Sequence, residues 1–347
     1  MSSQDASLGI VVGVDESSAA TIAVQWAARE AELRNIPLTL VHAVSPEVAT
    51  WPNVRLSAGL ARWQRDHGRR LVDEAVKLVD KVSRGGGPVE VHSEVLPSAA
   101  IPTLIDLSKS AELVVTGCRG SKQWPGRLIG SVSSGLLRYA RCPVAIIHED
   151  DPPISDGGHA PVLVGVDGSP ASEFATAIAF DEAARRKVGL IALHAWSDAD
   201  LSEWPETDWP ATQSVAAQVL AERLAGWQER YPEVSVERTV VCDKPARQLV
   251  ERSEDAQLLV VGCRGRGGFA EILVGSVSEA VAQMARAPVI VARGSAVSAP
   301  AQPTCLPKTD TFSLIRERLA PSISDGGRAD GRKARSAARV DQPRRHR

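Results

Sequence analysis

The chain has 347 residues, 44% of them hydrophobic and 24% charged, with a formal net charge of −2. These are ordinary values for a soluble globular protein, and the length suits two domains and a tail. No apolar run approaches the ~18 residues of a membrane span, and the first residues lack the basic and apolar segments of a secretory signal, so a cytoplasmic protein is expected.

From the N-terminus, residues 8–17 read as a buried strand ending at Asp15, followed by a helix with Ala19, Ile22, Ala23, Trp26 and Ala27 on one face. Residues 37–44 give a second strand, and a long helix is expected from about Leu60 to Val82. A third strand, Val89 to Val95, precedes a short helix beginning after Pro102. The apolar run Leu113, Val114 and Val115 enters a glycine-rich loop, followed by another helix and a last strand from Cys142 to Ile147.

The whole order then returns. Residues 160–169 repeat 8–17 and end their strand at Asp167; residues 189–196 repeat the second strand. A helix from about Thr212 to Arg230, a strand from Val234 to Val241, a helix after Pro245, a strand over Leu258 to Val261 and a strand from Ala287 to Val291 complete the copy. Strands alternating with helices predict an α/β fold with a doubly wound parallel sheet in each half, residues 1–150 and 160–294. Residues 149–160 read as the linker. Residues 298–347 are rich in Pro, Ser, Gly and Arg and have no duplicated counterpart; they read as a basic, disordered extension. That tail holds 11 basic and 5 acidic residues, leaving a body with 29 basic and 37 acidic, which argues against a nucleic-acid groove.

One motif occupies the same place in both halves. Gly117, Cys118, Arg119, Gly120 and Ser121 are followed by Gly130, Ser131, Val132 and Ser133, with nine residues between Gly120 and Gly130. Gly262, Cys263, Arg264, Gly265, Arg266 and Gly267 are followed at the same spacing by Gly275, Ser276, Val277 and Ser278. Glycines let the backbone approach an anion, consecutive N–H groups form a concave nest, and a helix N-terminus adds unpaired donors and a favourable dipole. The alternative is a pair of tight turns leading into helices capped by the Ser131 and Ser276 hydroxyls. Recurrence at one spacing favours the phosphate reading, with Arg119, Lys122, Arg127, Arg264 and Arg266 adding positive charge.

Asp15 and Asp167 stand at strand ends before helices, where a carboxylate can cap the helix, form an Asx turn, or accept hydrogen bonds from ribose hydroxyls. Ala43 and Ala195, each after a histidine at the end of the second strand, offer a backbone edge and a small side chain to an adenine ring. Ends of strands in a doubly wound sheet converge, so these residues can meet. His42 and His194 themselves read as satisfied strand-end histidines. No G-x-x-x-x-G-K-[ST], no G-x-G-x-x-G after the first strand and no G-x-S-x-G occurs, and no carboxylate pair or Ser/His pair recurs at a reaction centre. A non-enzymatic protein is therefore expected. Cysteines 118, 142, 242, 263 and 305 form no Cys-x-x-Cys and fit free thiols; Cys118 and Cys263 are either small loop residues or redox sensors. The histidines lack metal-ligand spacing, so no metal site of side chains is expected.

The Val-Gly-Val-Asp-x-Ser start, the Leu-Val-His-Ala-Val-Ser and Ala-Leu-His-Ala-Trp-Ser strands and the duplicated glycine–serine motif resemble the tandem-domain universal stress proteins of the ATP-binding, actinobacterial kind, from residue 8 to about 294. The resemblance implies a Rossmann-like adenine-nucleotide-binding domain in each half, taking ATP with or without Mg²⁺. It puts Asp15 and Asp167 on ribose, Ala43 and Ala195 at adenine, and Gly13 and Gly165 beside them. Phosphates fall to Gly117, Gly120, Gly130, Ser131 and Ser133, and to Gly262, Gly265, Gly275, Ser276 and Ser278. It further implies an intramolecular pseudo-dimer joined through the last strands, a homodimer, a regulatory protein partner, and a role in growth arrest or hypoxia-type stress. A slow ATPase or nucleotidyl-transfer enzyme is the alternative, and the basic tail departs from the family pattern.

Overall fold

The computed structural model describes residues 8–44, 58–83, 89–118, 129–151, 158–195, 209–265 and 273–293. The tail expected over 298–347 lies outside them, as do residues 152–157 of the linker. In the first half, strands β1 (Ile10–Gly13), β2 (Leu38–Ala43), β3 (Val91–Leu96), β4 (Leu113–Cys118) and β5 (Val144–His148) alternate with helices α1 (Ser18–Arg34), α2 (Ala58–Val82), α3 (Ala100–Leu107) and α4 (Ser131–Tyr139). The second half runs β6 (Val162–Gly165), α5 (Pro170–Arg186), β7 (Leu190–Ala195), α6 (Trp209–Arg230), β8 (Val236–Val241), α7 (Pro245–Arg252), β9 (Leu258–Gly262), α8 (Ser276–Met284) and β10 (Val289–Ala292).

Within each half all pairings are parallel, in the order β3-β2-β1-β4-β5 and β8-β7-β6-β9-β10. The halves join edge to edge through β5 and β10, which pair antiparallel with Val289 opposite Ile146 and Val291 opposite Val144. The result is one ten-stranded sheet. The strand order reverses between β1 and β4, and between β6 and β9, the place where such sheets hold ligands.

The central strands are apolar throughout because helices cover both faces. Ile10, Val11 and Val12 are all fully buried. Ile10 and Val12 pack with Ala23, Ala27 and Trp26 of α1 and Val72 and Val79 of α2, whereas Val11 faces Leu104 and Leu107 of α3 and Leu136 and Leu137 of α4. Helix α1 starts at Ser17, whose hydroxyl accepts from the Ala20 N–H at 3.1 Å, and stops at Asn35 in the left-handed region. Ser169 and Lys187 bound α5 in the same way.

Three local expectations are corrected. The first strands end at Gly13 and Gly165, two residues before the aspartates, since the chain there is already turning into its helix. Helix α3 begins at Ala100 rather than after Pro102; a proline in the first turn lacks only an N–H that would have no intrahelical acceptor. The caps of α4 and α8 are Gly130 and Gly275, so Ser131 and Ser276 are first helical residues and neither helix has a side-chain cap. Among the described residues, no helix is long and apolar enough to cross a membrane.

Two buried polar sets fasten the halves together. Helices α1 and α5 meet through a closed ring of charge: Arg34 bonds Glu30 at 2.6 Å and Glu182 at 2.5 Å, and Arg186 bonds Glu182 at 2.9 Å and Glu30 at 2.5 Å. At the sheet seam, His148 is fully buried; its Nε2 donates to the Ala282 carbonyl of α8 at 3.0 Å, and its Nδ1 lies 3.5 Å from Asp151 Oδ1. Burial opposes charge on this imidazole, but Asp151 and the Cys118 sulfur beside it prevail and push it up to about 9. The stability His148 contributes is then full below its ordinary value of 6.5 and lost as pH rises through about 9. The melting temperature of the intact protein should fall over that window, and His148→Gln should flatten the fall. Superimposable pH profiles for the two proteins would show that His148 is neutral in the fold.

Candidate functional site

At the end of β1 the chain makes an Asx turn. Asp15 Oδ1 accepts from the Ser17 N–H at 2.9 Å and from the Ser17 hydroxyl at 2.5 Å, while Ser17 caps α1. Asp167 repeats this, accepting from the Ser169 N–H at 2.8 Å. Neither aspartate is the N-cap, a role that Ser17 and Ser169 fill. Asp15 is exposed and Asp167 half-buried. His42 and His194, at the ends of β2 and β7, donate from Nδ1 to the carbonyls of Val14 and Val166, at 2.8 and 2.7 Å. They are the strand-end histidines expected, and each fixes the residue just before the aspartate. Ala43 and Ala195 follow them at the same sheet edge, half-buried.

The glycine motif is drawn against the same edge. Gly117 lies on the first turn of α1, where an added Cβ would be 2.5 Å from the Ala19 carbonyl, and Gly262 lies likewise on Ala171 of α5. Gly13 and Gly165 face Leu104 and Leu249 instead. Ser133 and Ser278, buried in the first turns of α4 and α8, donate from their hydroxyls to the Gly117 and Gly262 carbonyls at 3.3 and 2.5 Å. Each hydroxyl thus sets its helix start against the strand end. The helices' first N–H groups, including those of Ser131 and Ser276, have no acceptor within the helix, and both side chains are exposed. Val132 and Val277 turn inward and pack on the core.

In the second half the described residues extend into the loop as far as Gly265. Asp167 Oδ2 lies against Gly265, 2.8 Å from where a Cβ would stand, and the Ser169 hydroxyl donates to the Arg264 carbonyl at 3.3 Å. The Gly275 N–H donates to the Cys263 carbonyl at 2.8 Å. Carboxylate, glycine loop and helix N-terminus therefore meet at one spot. Arg119, Gly120 and Ser121 in the first half, with Lys122 and Arg127, and Arg266 and Gly267 in the second, lie outside the described residues. Cys118 and Cys263 are buried, 1% and 8% exposed, which suits packing rather than the accessible thiol a redox sensor needs. Burial pushes the Cys142 thiol up to about 12, so it is inert as well. Among the described residues no group of three or more His, Cys, Asp or Glu side chains could hold a metal ion.

Arg293 escaped the sequence reading. It stands just past the last apolar run and carries no candidate role in the sequence, yet it is 9% exposed and reaches across the seam to the first half. Its equivalence to His148, one 145-residue repeat earlier, was the available signal.

Two doubly wound halves, each bringing an aspartate, an alanine edge and a glycine–serine helix start to one strand end, define a tandem α/β protein with a duplicated candidate site. The chain belongs to the universal stress protein family, whose sequence pattern matches residues 9–148 and again 159–293. A universal stress protein of Mycobacterium tuberculosis is 69% identical over 295 residues, covering 85% of this chain and 99% of its own. One of Mycobacterium bovis is 55% identical over 287 residues, covering 83% and 97%. The crystal structure of a universal stress protein from Archaeoglobus fulgidus shares the fold at 18% identity, with a TM-score of 0.62 over 83% of this chain and 98% of that one.

Proposed function

We propose that this protein is an adenine-nucleotide-binding stress regulator with one site in each half, in which occupancy alters conformation or the binding of a protein partner. The observation that carries this reading is the meeting of Asp167, Gly265 and the α8 start in the second half. An ionised carboxylate, an acceptor through both oxygens, suits the paired hydroxyls of a ribose; backbone N–H groups at a glycine loop and helix start suit phosphates. Ala43 and Ala195 leave room beside the adenine ring. ATP is the expected ligand, and its phosphates would carry any Mg²⁺. A homodimer and a regulatory partner in growth-arrest or hypoxia-type stress extend the same reading.

Counting nucleotide released per chain on denaturation tests it. Wild type should release about two, Asp15→Ala and Asp167→Ala each about one, and the double variant almost none, because losing a charged acceptor costs about 1.5–3 kcal/mol, or roughly ten- to a hundredfold in affinity. Folding should survive, since Ser17 and Ser169 still cap their helices. Two nucleotides retained by the double variant would leave the aspartates as turn formers only. The reading as regulator also expects no steady ATP turnover near or above about 1 per second; a faster rate would make the protein an enzyme.

A further inference from the structure

A basic side chain at the end of each half's last strand, His148 closing β5 and Arg293 just past β10, crosses into the other half and meets the far end of its glycine–serine helix. Arg293 Nε donates to the Ala140 carbonyl at 3.0 Å and its Nη1 donates to the Leu137 carbonyl, both at the C-terminus of α4. His148 makes the reciprocal contact, from Nε2 to the Ala282 carbonyl of α8. Ala282 and Leu137 are one repeat apart, as are Arg293 and His148, so the two contacts are related by the internal pseudo-symmetry. The last carbonyls of a helix lack intrahelical donors and carry the negative end of its dipole, which makes a cation there favourable.

The arginine reaches further than the histidine. Arg293 Nη1 also donates, at 3.0 Å, to the carbonyl of Leu273, in the second half's own glycine–serine segment two residues before Gly275. One guanidinium therefore spans both halves' candidate phosphate elements: the segment entering α8 and the back of α4. Helix α4 has nine residues and is about 13 Å long. Moving its C-terminus tilts the N-terminus, where Ser133 holds the Gly117 carbonyl.

We propose that Arg293 is a positioning residue that couples the two nucleotide sites, setting the first half's phosphate-binding helix according to the state of the second half's glycine loop. The proposal rests on the nucleotide-binding reading above and adds the route by which one site senses the other. A rigid helix gripped at one end by a side chain that also grips the other loop is a contiguous mechanical link. Arg293 belongs by sequence to the second half, so a role confined to its own half predicts no effect on the first site.

The test uses the full chain carrying Asp167→Ala, in which the first site remains, and adds Arg293→Gln. ATP affinity is measured by equilibrium dialysis and amide exchange is followed over residues 131–139. Arg293→Gln should raise the ATP dissociation constant of the first site about tenfold, equivalent to roughly 1.4 kcal/mol, and speed exchange over 131–139. Arg293→Lys, which keeps a cation at the carbonyls, should recover most of both. A dissociation constant within twofold of the Asp167→Ala parent, or unchanged exchange over 131–139, overturns the proposal. If Arg293→Gln does not fold, the Asp15→Ala chain decides: ATP at the second site must slow exchange over 131–139, and failure to do so overturns the coupling. If the Asp167→Ala parent binds no ATP, the nucleotide reading fails on its own account, and exchange over 131–139 in the Arg293→Gln chain still tells whether Arg293 positions the helix.

Discussion

Gly117→Ala is expected to empty the first half's site, and Gly262→Ala the second's. A Cβ on Gly117 would stand 2.5 Å from the carbonyl carbon and oxygen of Ala19 and 2.8 Å from the Ala20 nitrogen; on Gly262 it would stand 2.7 Å from the Ala171 carbonyl carbon. These are backbone atoms in the first turns of α1 and α5, which have no rotamer to escape into. The strand end must back away, at a cost of about 1–3 kcal/mol typical of overpacking. The same shift carries off the carbonyl that receives the Ser133 or Ser278 hydroxyl, and with it the register between glycine loop and helix start. Nucleotide retained in that half should drop more than about tenfold, the effect of a lost 1.4 kcal/mol or more. Gly130→Ala is the steric control: its Cβ would meet nothing within 4 Å, and its melting curve should show only the loss of about 1 kcal/mol that alanine costs at an N-cap. Full nucleotide content with an unchanged melting temperature in Gly117→Ala would mean that the close approach of β4 to α1 is not needed.

Glu182→Leu should be the most destabilising single change at the contact between α1 and α5. Glu30 and Glu182 are 0% and 1% exposed, with Arg34 and Arg186 closing the ring around them. Without Glu182, two buried guanidinium groups share one carboxylate, and breaking a buried ion set from one side costs about 3–5 kcal/mol. For a protein of this size that is a fall of roughly 10 °C in melting temperature. Replacing Glu30, Arg34, Glu182 and Arg186 together by Leu or Met should cost far less, since no charge is then stranded. A single variant that melts within 2 °C or so of wild type would show that solvent or rearrangement relieves the arginines.

The ring also has a pH signature. Burial and the neighbouring Glu182 push Glu30 up to about 7, against the pull of Arg186 and Arg34. Glu182 resists burial, and the two arginines draw it down to about 2. A raised carboxyl contributes stability below its ordinary value of 4.5 that is lost as pH rises through about 7; a lowered one contributes above 4.5 and loses it as pH falls through about 2. Glu30→Gln should therefore remove the decline between about pH 4.5 and 7 while leaving the acid limb in place.

The duplication, the alternation of strands and helices and the apolar character of the central strands were legible because each is written in neighbouring residues. Continuous runs such as Leu113 to Val115 announce a strand covered on both faces, and Ala19, Ala23 and Ala27 announce a helix that approaches a sheet closely. The recurrence of aspartate, alanine and glycine–serine motif likewise marked the strand ends that the fold draws together. Caps were less legible: Ser17 rather than Asp15, and Gly130 rather than Ser131, begin their helices, because a shift of one or two residues changes the cap without changing the helical pattern. What tertiary structure alone decided concerns partners about 150 residues away. Glu30 and Arg34 look like a solvated i,i+4 pair until α5 brings Glu182 and Arg186 onto them. Arg293 looks like a solvated cation after the last strand until the antiparallel pairing of β5 and β10 sets it against the end of α4. Helical period and cap chemistry act over four residues or so; burial of charge and capping from another domain depend on which surfaces meet, and no local pattern records that.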